Sequence, residues 1–374
     1  MSRTRSAWVE VDTSAIARNV RALKSCVPAG TAFMAVVKAD GYGHGAAEAA
    51  SAALSAGADR LGVATVDEAV ALREAGITAP VGVLGEPPIE AAGYLVEHDV
   101  TATVTTREFA RALDAAAAAA GCTAAFHLKI DTGMNRIGVP WGRALETVAE
   151  FGELASLELE GVLTHFATAD EPGSPYFALQ LERFVGVLEQ LTAAGRRPAL
   201  AHAANSAATI LHPAAHFDMV RCGIAMYGLH PSPATSGAIE LEPAMSVKAR
   251  VSLAKRVSPG DGVSYGLTWR AEAPTTIATL PLGYADGVHR VLSDRMEVLI
   301  GGRRCRQVGR VCMDQLMVAV PDGIAVSQND EAVLVGVQGG ERIGMDELAT
   351  RAGTINYEMA CGFALRLDRS FPSP

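Results

Sequence analysis

The sequence predicts a TIM-like (β/α)8 barrel followed by a second, mostly β domain, on three observations. Over the first 240 residues eight apolar, β-branched runs alternate, across turns, with seven helices rich in alanine, leucine and glutamate. The strands are apolar almost throughout, as strands covered on both faces must be. After the proline-, serine- and glycine-rich stretch at 230–237 the helical period stops and alternation takes over. A chain of 374 residues is long enough for one large domain and a smaller one.

The elements follow in order. Ala7 to Asp12 alternates as a short strand, and Asp12 or Thr13 can cap the helix expected at 15–25. Barrel strands are expected at 31–40, 60–65, 79–85, 100–105, 124–131, 157–167, 198–205 and 218–227. The helices between them fall at 45–56, 66–75, 90–98, 107–120, 143–151, 174–194 and 206–211, several closing on a glycine such as Gly121. Beyond the linker, Val247, Ala249, Val251 and Leu253 alternate with polar neighbours. Further strands are expected at 276–280, 296–300, 307–311, 315–320 and 331–335, then helices at 345–352 and 356–362. The domains are set at 1–240 and 241–374, with the first strand available to pair with the C-terminal domain.

Composition narrows the function. A net charge of -9 speaks against a nucleic-acid partner. The six cysteines form no CxxC pair and no zinc spacing, which suits free thiols in a reducing compartment and no metal. The basic residues 1–5 lead into no apolar segment and no run of 18 apolar residues occurs, so no membrane span and a cytoplasmic location are expected. Only five lysines occur, at 24, 38, 129, 248 and 255, so each is less easily read as surface filler.

Barrel active sites collect at the C-terminal ends of the strands. The first strand ends in Lys38, followed by Tyr42 among three glycines. The fifth, HLKID, carries Lys129 and runs into TGMNR with Arg136; the sixth ends Thr164-His165-Phe166. The seventh leads to Asn205-Ser206, and the eighth carries Arg221-Cys222-Gly223-Ile224. The Ser206 hydroxyl, with the amides of Gly223 and Ile224, fits a phosphate, and Tyr42 can add a phenol donor. Ser206 equally fits a helix cap. A phosphate site beside a strand-end lysine suits a phosphorylated carbonyl cofactor held as a Schiff base, and suits a sugar-phosphate aldolase equally well.

At this point the chain resembles the alanine racemase family, the fold-type III enzymes that use pyridoxal 5'-phosphate. The resemblance rests on AVVKADGYGHG at 35–45, KIDTGMNRIG at 129–138, Thr164-His165-Phe166, Asn205-Ser206 and RCGIAMYG at 221–228. It continues through Ser264-Tyr265-Gly266, LGYADG at 282–287, GRVCMD at 309–314 and Ile355-Asn356-Tyr357-Glu358. It covers both domains. Where many members have proline before the glycine of the last barrel strand, this chain has Cys222, an exchange expected to matter little.

The resemblance implies racemisation of L- and D-alanine by two bases in a homodimer with shared active sites, supplying D-alanine for peptidoglycan. Lys38 resembles the Schiff-base lysine and the base on one face of the substrate α-carbon; Tyr265 resembles the opposite base, contributed by the partner subunit. Inversion needs a group on each face, which gives this pairing a physical sense. Arg221 resembles the residue facing the pyridine nitrogen, and His165 the relay between it and the tyrosine. An arginine stays charged, so it leaves that nitrogen unprotonated. Arg136 resembles the arginine at the cofactor phenolate and the substrate carboxylate; in some members the lysine matching Lys129 is carbamylated. Tyr42, Asn205, Ser206, Gly223, Ile224 and Tyr357 match cofactor-binding positions, the phosphate set among them. Met313 and Tyr284 match a substrate contact and the entryway. Lysine and broad-specificity racemases share this architecture. A non-catalytic single-barrel relative would lack residues 241–374, and a decarboxylase of the same fold type would place a cysteine and an aspartate in the β domain.

Overall fold

The computed structural model describes residues 5–363 and 365–372, so most of the basic stretch at 1–5 lies outside the described residues. After a first strand, β1 (Ala7–Val11), come eight strands that form the barrel. They are β2 (Ala32–Val36), β3 (Arg60–Val63), β4 (Val81–Val83), β5 (Val100–Val104), β6 (Ala124–Asp131), β7 (Leu157–Leu163), β8 (Leu200–His202) and β9 (Met219–Cys222). All pair in parallel, and β9 returns to β2 with Arg221 opposite Met34 and Cys222 opposite Ala35. Only β8 and β9 lack a ladder; Asp218 N donates to Ala201 O at 3.0 Å and Arg221 N to Ala204 O at 2.9 Å, so the barrel is nearly closed.

Local chemistry sets the elements. Phe33, Ala35, Leu61, Val63, Val81 and Val104 are buried, as parallel strands under helices require. Thr65 and Glu68 form a capping box at the helix Val66–Glu74, and Thr106 caps Arg107–Ala120, which ends on left-handed Gly121. The strand expected at 31–40 stops at Val36, because the backbone turns left-handed from Ala39.

The C-terminal strands are β10 (Met245–Arg250), β11 (Leu253–Val257), β12 (Thr275–Leu280), β13 (Glu297–Ile300), β14 (Arg303–Gln307), β15 (Leu316–Val320), β16 (Glu331–Gln338) and β17 (Asp368–Ser370). They build one sheet in the order β11-β12-β15-β14-β13-β16-β10-β1-β17, antiparallel except for β1 with β17. β1 enters through five register pairs with β10, from Ala7 opposite Ala249 to Val11 opposite Met245. The strand expected at 307–311 forms earlier, at Arg303–Gln307. The polar run RRCRQ hides it, and the chain leaves the ladder at Gly309, whose φ is 70°. Met345–Ala352 and Asn356–Gly362 are helical as predicted. Two compact units result: Ser14–Gly41 with Gly45–Glu242, and residues 5–13 and 42–44 with the described residues from 243 on.

Candidate active site

Lys38 follows β2 at the C-terminal end of the barrel strands and opens a left-handed turn. Ala39 (φ 53°, ψ 52°), Asp40 (φ 52°, ψ 48°) and Tyr42 (φ 53°) share this conformation with Gly41. Each non-glycine residue there carries a cost of about 1–2 kcal/mol. Fixed acceptors hold the turn. Ala39 N donates to Glu68 Oε1 at 2.7 Å, Gly41 N to Val37 O at 2.9 Å and Gly45 N to Asp40 O at 2.9 Å. The Asp40 carboxylate also accepts from Ala46 N at 3.0 Å, where the next helix begins.

Lys129 projects from β6 and donates to Leu84 O at 3.1 Å. It lines a pocket with Ile130, Asp131, Met134, Arg136, Ile137, Thr164 and His165. Burial, then Arg221, Arg136 and Lys38, pull its amine down to about 8. Asp131 Oδ1 accepts from Gly133 N at 2.8 Å and Asn135 N at 3.1 Å, which shapes the loop carrying Arg136. Arg183 and Tyr176 fasten the loop at Thr132 O and Gly133 O.

Arg221, on β9, is 4% exposed. Nη1 donates to His202 Nδ1 and to His202 O, both at 3.0 Å. Nη2 donates to Thr164 O at 2.8 Å, Ala203 O at 3.1 Å and His165 Nδ1 at 3.1 Å. Among the described residues, Nε–H is the guanidinium donor left without an acceptor. Because His165 Nδ1 accepts, its proton sits on Nε2 and can be donated onward. Burial, then Arg221, Arg136, Lys129 and Lys38, hold His165 well below the ordinary histidine range.

Beside Arg221, Ser206 Oγ accepts from Gly223 N at 3.0 Å and keeps its own proton to donate. The helix Ser206–Leu211 is capped by Asn205, whose Oδ1 accepts from Ala208 N at 3.0 Å, so the cap expected of Ser206 falls one residue earlier. Ile224 opens the turn Ile224–Tyr227, where its N–H has no intrahelical acceptor.

The second unit carries the remaining predicted residues. The Tyr42 and Tyr357 rings lie 6.3 Å apart at 53°. Tyr265 is 73% exposed, Met313 53% and Tyr284 42%. Their three loops are bonded together. Ser264 Oγ donates to Arg310 O at 2.6 Å, Tyr284 N to Cys312 O at 2.9 Å and Ala285 N to Met313 O at 3.1 Å. A Cβ on Gly283 would sit 2.2 Å from Cys312 O, so only glycine fits where the loops cross. Ser264 (φ 67°) and Leu267 (φ 44°) flank Tyr265 in left-handed conformations, a strain these bonds hold in place.

Family models for the alanine racemase N-terminal domain and C-terminal domain match residues 11–231 and 244–371. The chain belongs to the alanine racemase family. It is 50% identical over 367 residues to the alanine racemase of Symbiobacterium thermophilum, covering 98% of this chain and 97% of that protein. The crystal structure of the Bacillus anthracis alanine racemase with bound L-Ala-P superposes with a TM-score of 0.94 at 42% identity, covering 100% of this chain and 96% of that one. A histidine racemase from Leuconostoc mesenteroides superposes at 0.91 and 32% identity, covering 100% of this chain and 99% of that one. As a member of the alanine racemase family, the chain is an isomerase, an amino-acid racemase.

Four residues around this candidate site carry no role in the sequence reading: Glu68, His127, Glu160 and His202. One signal for His127 was present. It stands two residues before Lys129 on β6, so both side chains face the same side of the strand. Glu68 and Glu160 gain their meaning from partners on other elements, which spacing does not reveal.

Proposed function

We propose that the chain interconverts L-alanine and D-alanine with pyridoxal 5'-phosphate, as a cytoplasmic homodimer that supplies D-alanine for peptidoglycan. The observation that carries this reading is the cationic group on the barrel: Lys129 and Arg136 line one pocket with His165, and Arg221 donates to His165 Nδ1 at 3.1 Å. Such a cluster needs anions, and a phosphate, a phenolate and a substrate carboxylate are the anions this reaction brings.

The donor set fits the cofactor. Arg221 offers one unpartnered N–H and no means of accepting a proton, which suits an unprotonated ring nitrogen. Ser206, Gly223 and Ile224, with Tyr42 and Tyr357, would hold the phosphate, Asn205 would cap the helix that carries Ser206, and Lys38 would hold the carbonyl carbon. When bound, the cofactor supplies an electron sink that acidifies the substrate α-carbon. Lys38 Nζ removes or returns the α-proton on one face, and the partner subunit's Tyr265 does so on the other. His165 is positioned through Nδ1 by Arg221, leaving Nε2–H to donate to the phenol oxygen of that tyrosine. Arg136 and the backbone N–H of the partner subunit's Met313 orient the substrate carboxylate, with Tyr284 at the entrance. The C-terminal domain, residues 241–374, completes the partner's site.

Chiral analysis of L-alanine incubated with protein and cofactor tests the reading, with Lys38→Ala beside it. D-alanine is expected from the wild type alone. In deuterated solvent, Tyr265→Ala should slow α-proton exchange from one enantiomer far more than from the other; equal losses would defeat the two-base assignment. The histidine racemase likeness bears on substrate, because one methylene in a pocket is worth only about 1–3 kcal/mol. A faster rate on L-serine, L-lysine or L-histidine than on L-alanine would move the assignment to that substrate.

A further inference from the structure

We infer that His202, His127 and Glu160 are positioning residues that fix the guanidinium of Arg221 through one hydrogen-bond chain inside the barrel. Its functional consequence rests on the reading of Arg221 as the group that meets the cofactor ring nitrogen.

The chain has a single direction. Arg221 Nη1 lies 3.0 Å from His202 Nδ1. A guanidinium donates and never accepts, so His202 Nδ1 is bare and its proton sits on Nε2. That Nε2 is 2.8 Å from His127 Nδ1, which must therefore accept. The His127 proton is then on Nε2, 2.9 Å from Glu160 Oε2. Arg60 binds the same carboxylate. Every tautomer follows from the cation at one end and the anion at the other.

The surroundings are built for this arrangement. The two imidazole rings meet edge to face, 4.8 Å between centroids at 69°. Gly161 stands directly opposite His127 in the β6–β7 register, next to an irregularity in the pairing. A Cβ on Gly161 would come within 2.9 Å of the His127 ring, so the space belongs to the imidazole. Burial holds both histidines below their ordinary range, against the pull of Glu160 on His127. Burial alone would raise the Glu160 carboxyl, but the bonds from His127 and Arg60 prevail and bring it to about 2. Anion, two neutral rings and cation thus coexist.

A proton added to either ring, or a reversed tautomer, would set two N–H groups face to face. With the chain intact, Nη1 and Nη2 are both engaged, and Nε–H is the donor left over. Which part of Arg221 serves the active site is thus decided by residues that do not reach it. Two packed apolar side chains would fill the same space without leaving buried polar atoms to satisfy, so a purely structural role gives no reason for a chain ending on this guanidinium.

The test is nitrogen NMR of histidine- and arginine-labelled, cofactor-loaded protein at the pH of the activity assay. His127 and His202 are both expected with Nε2 protonated and Nδ1 bare. His127→Phe, which keeps the ring shape and cuts the chain midway, should broaden the sharp Arg221 guanidinium signals. It should lower kcat by about tenfold with KM changed by no more than about twofold. Protonation of Nδ1 on either ring in the wild type would overturn the inference, as would Arg221 signals unchanged in His127→Phe. The wild-type spectrum decides alone should the variant not fold. A wild type with the expected tautomers but no racemisation of alanine would keep the chain and remove the activity reading instead.

Discussion

Lys129 shows how burial and charge act together on one side chain. An amine drawn down to about 8 is substantially neutral near that pH, where an ordinary lysine near 10.5 is almost wholly charged. Only the neutral amine adds carbon dioxide, and the carbamate formed is an anion among Arg221, Arg136 and Lys38, where a cation is disfavoured. Labelled bicarbonate should therefore give a carbamate carbon signal in the wild type that grows as pH rises through about 8 and is missing from Lys129→Gln. A wild type without that signal would leave Lys129 a plain amine. Gly161 gives a second prediction at this scale. Gly161→Ala drives a methyl into the His127 imidazole and breaks both its bonds, an overpacking cost of about 1–3 kcal/mol in denaturant unfolding. Gly82→Ala, where a Cβ meets nothing closer than 3.8 Å, is the control and should cost less. Equal costs would mean that the ring has room to move.

The turn after Lys38 is a different problem, because no single residue makes it. A sequence reading finds the lysine at a strand end and the glycines behind it, and extends the strand to residue 40. The structure ends the strand at Val36 and puts Ala39, Asp40 and Tyr42 in the left-handed region, where propensity would not place them. Glu68, from the helix Val66–Glu74, supplies acceptors for Ala39 N, Ala64 N and Thr65 N at once. This is tertiary context overriding local preference, and it explains what was legible. Strand ends, helix periods and cap residues are local, so Lys38, Arg221 and Ser206 could be placed from the sequence. Glu68 looks there like half of an ordinary capping box, and β14 is masked by its own arginines. Ala39→Gly relieves the left-handed strain and should leave stability unchanged or raise it by up to about 1 kcal/mol. Ala49→Gly, inside the helix Ala46–Ser55, should cost about 1 kcal/mol or more. A loss at position 39 matching that at 49 would contradict the left-handed turn.

At the scale of the whole molecule, the notable surface is the one around Tyr265. Tyr265, Met313, Leu267 and Tyr284 are all more than two-fifths exposed in the single chain. Large apolar side chains clustered on bonded, strained loops are unusual on a surface that meets only water. A second copy of the chain is the occupant proposed for them, and the proposal has an arithmetic test. Lys38→Ala and Tyr265→Phe should each be close to inactive when made alone. Co-expressed in equal amounts, random pairing makes half of the dimers mixed. In a mixed dimer one site combines the intact Lys38 of one chain with the intact Tyr265 of the other, while the second site lacks both. The mixture should therefore recover about a quarter of wild-type activity. If both bases came from the same chain, every site in the mixture would lack one of them, and no activity would return. The mixture thus assigns Tyr265 to one chain or the other without a structure of the complex, and it does so whichever amino acid proves to be the best substrate.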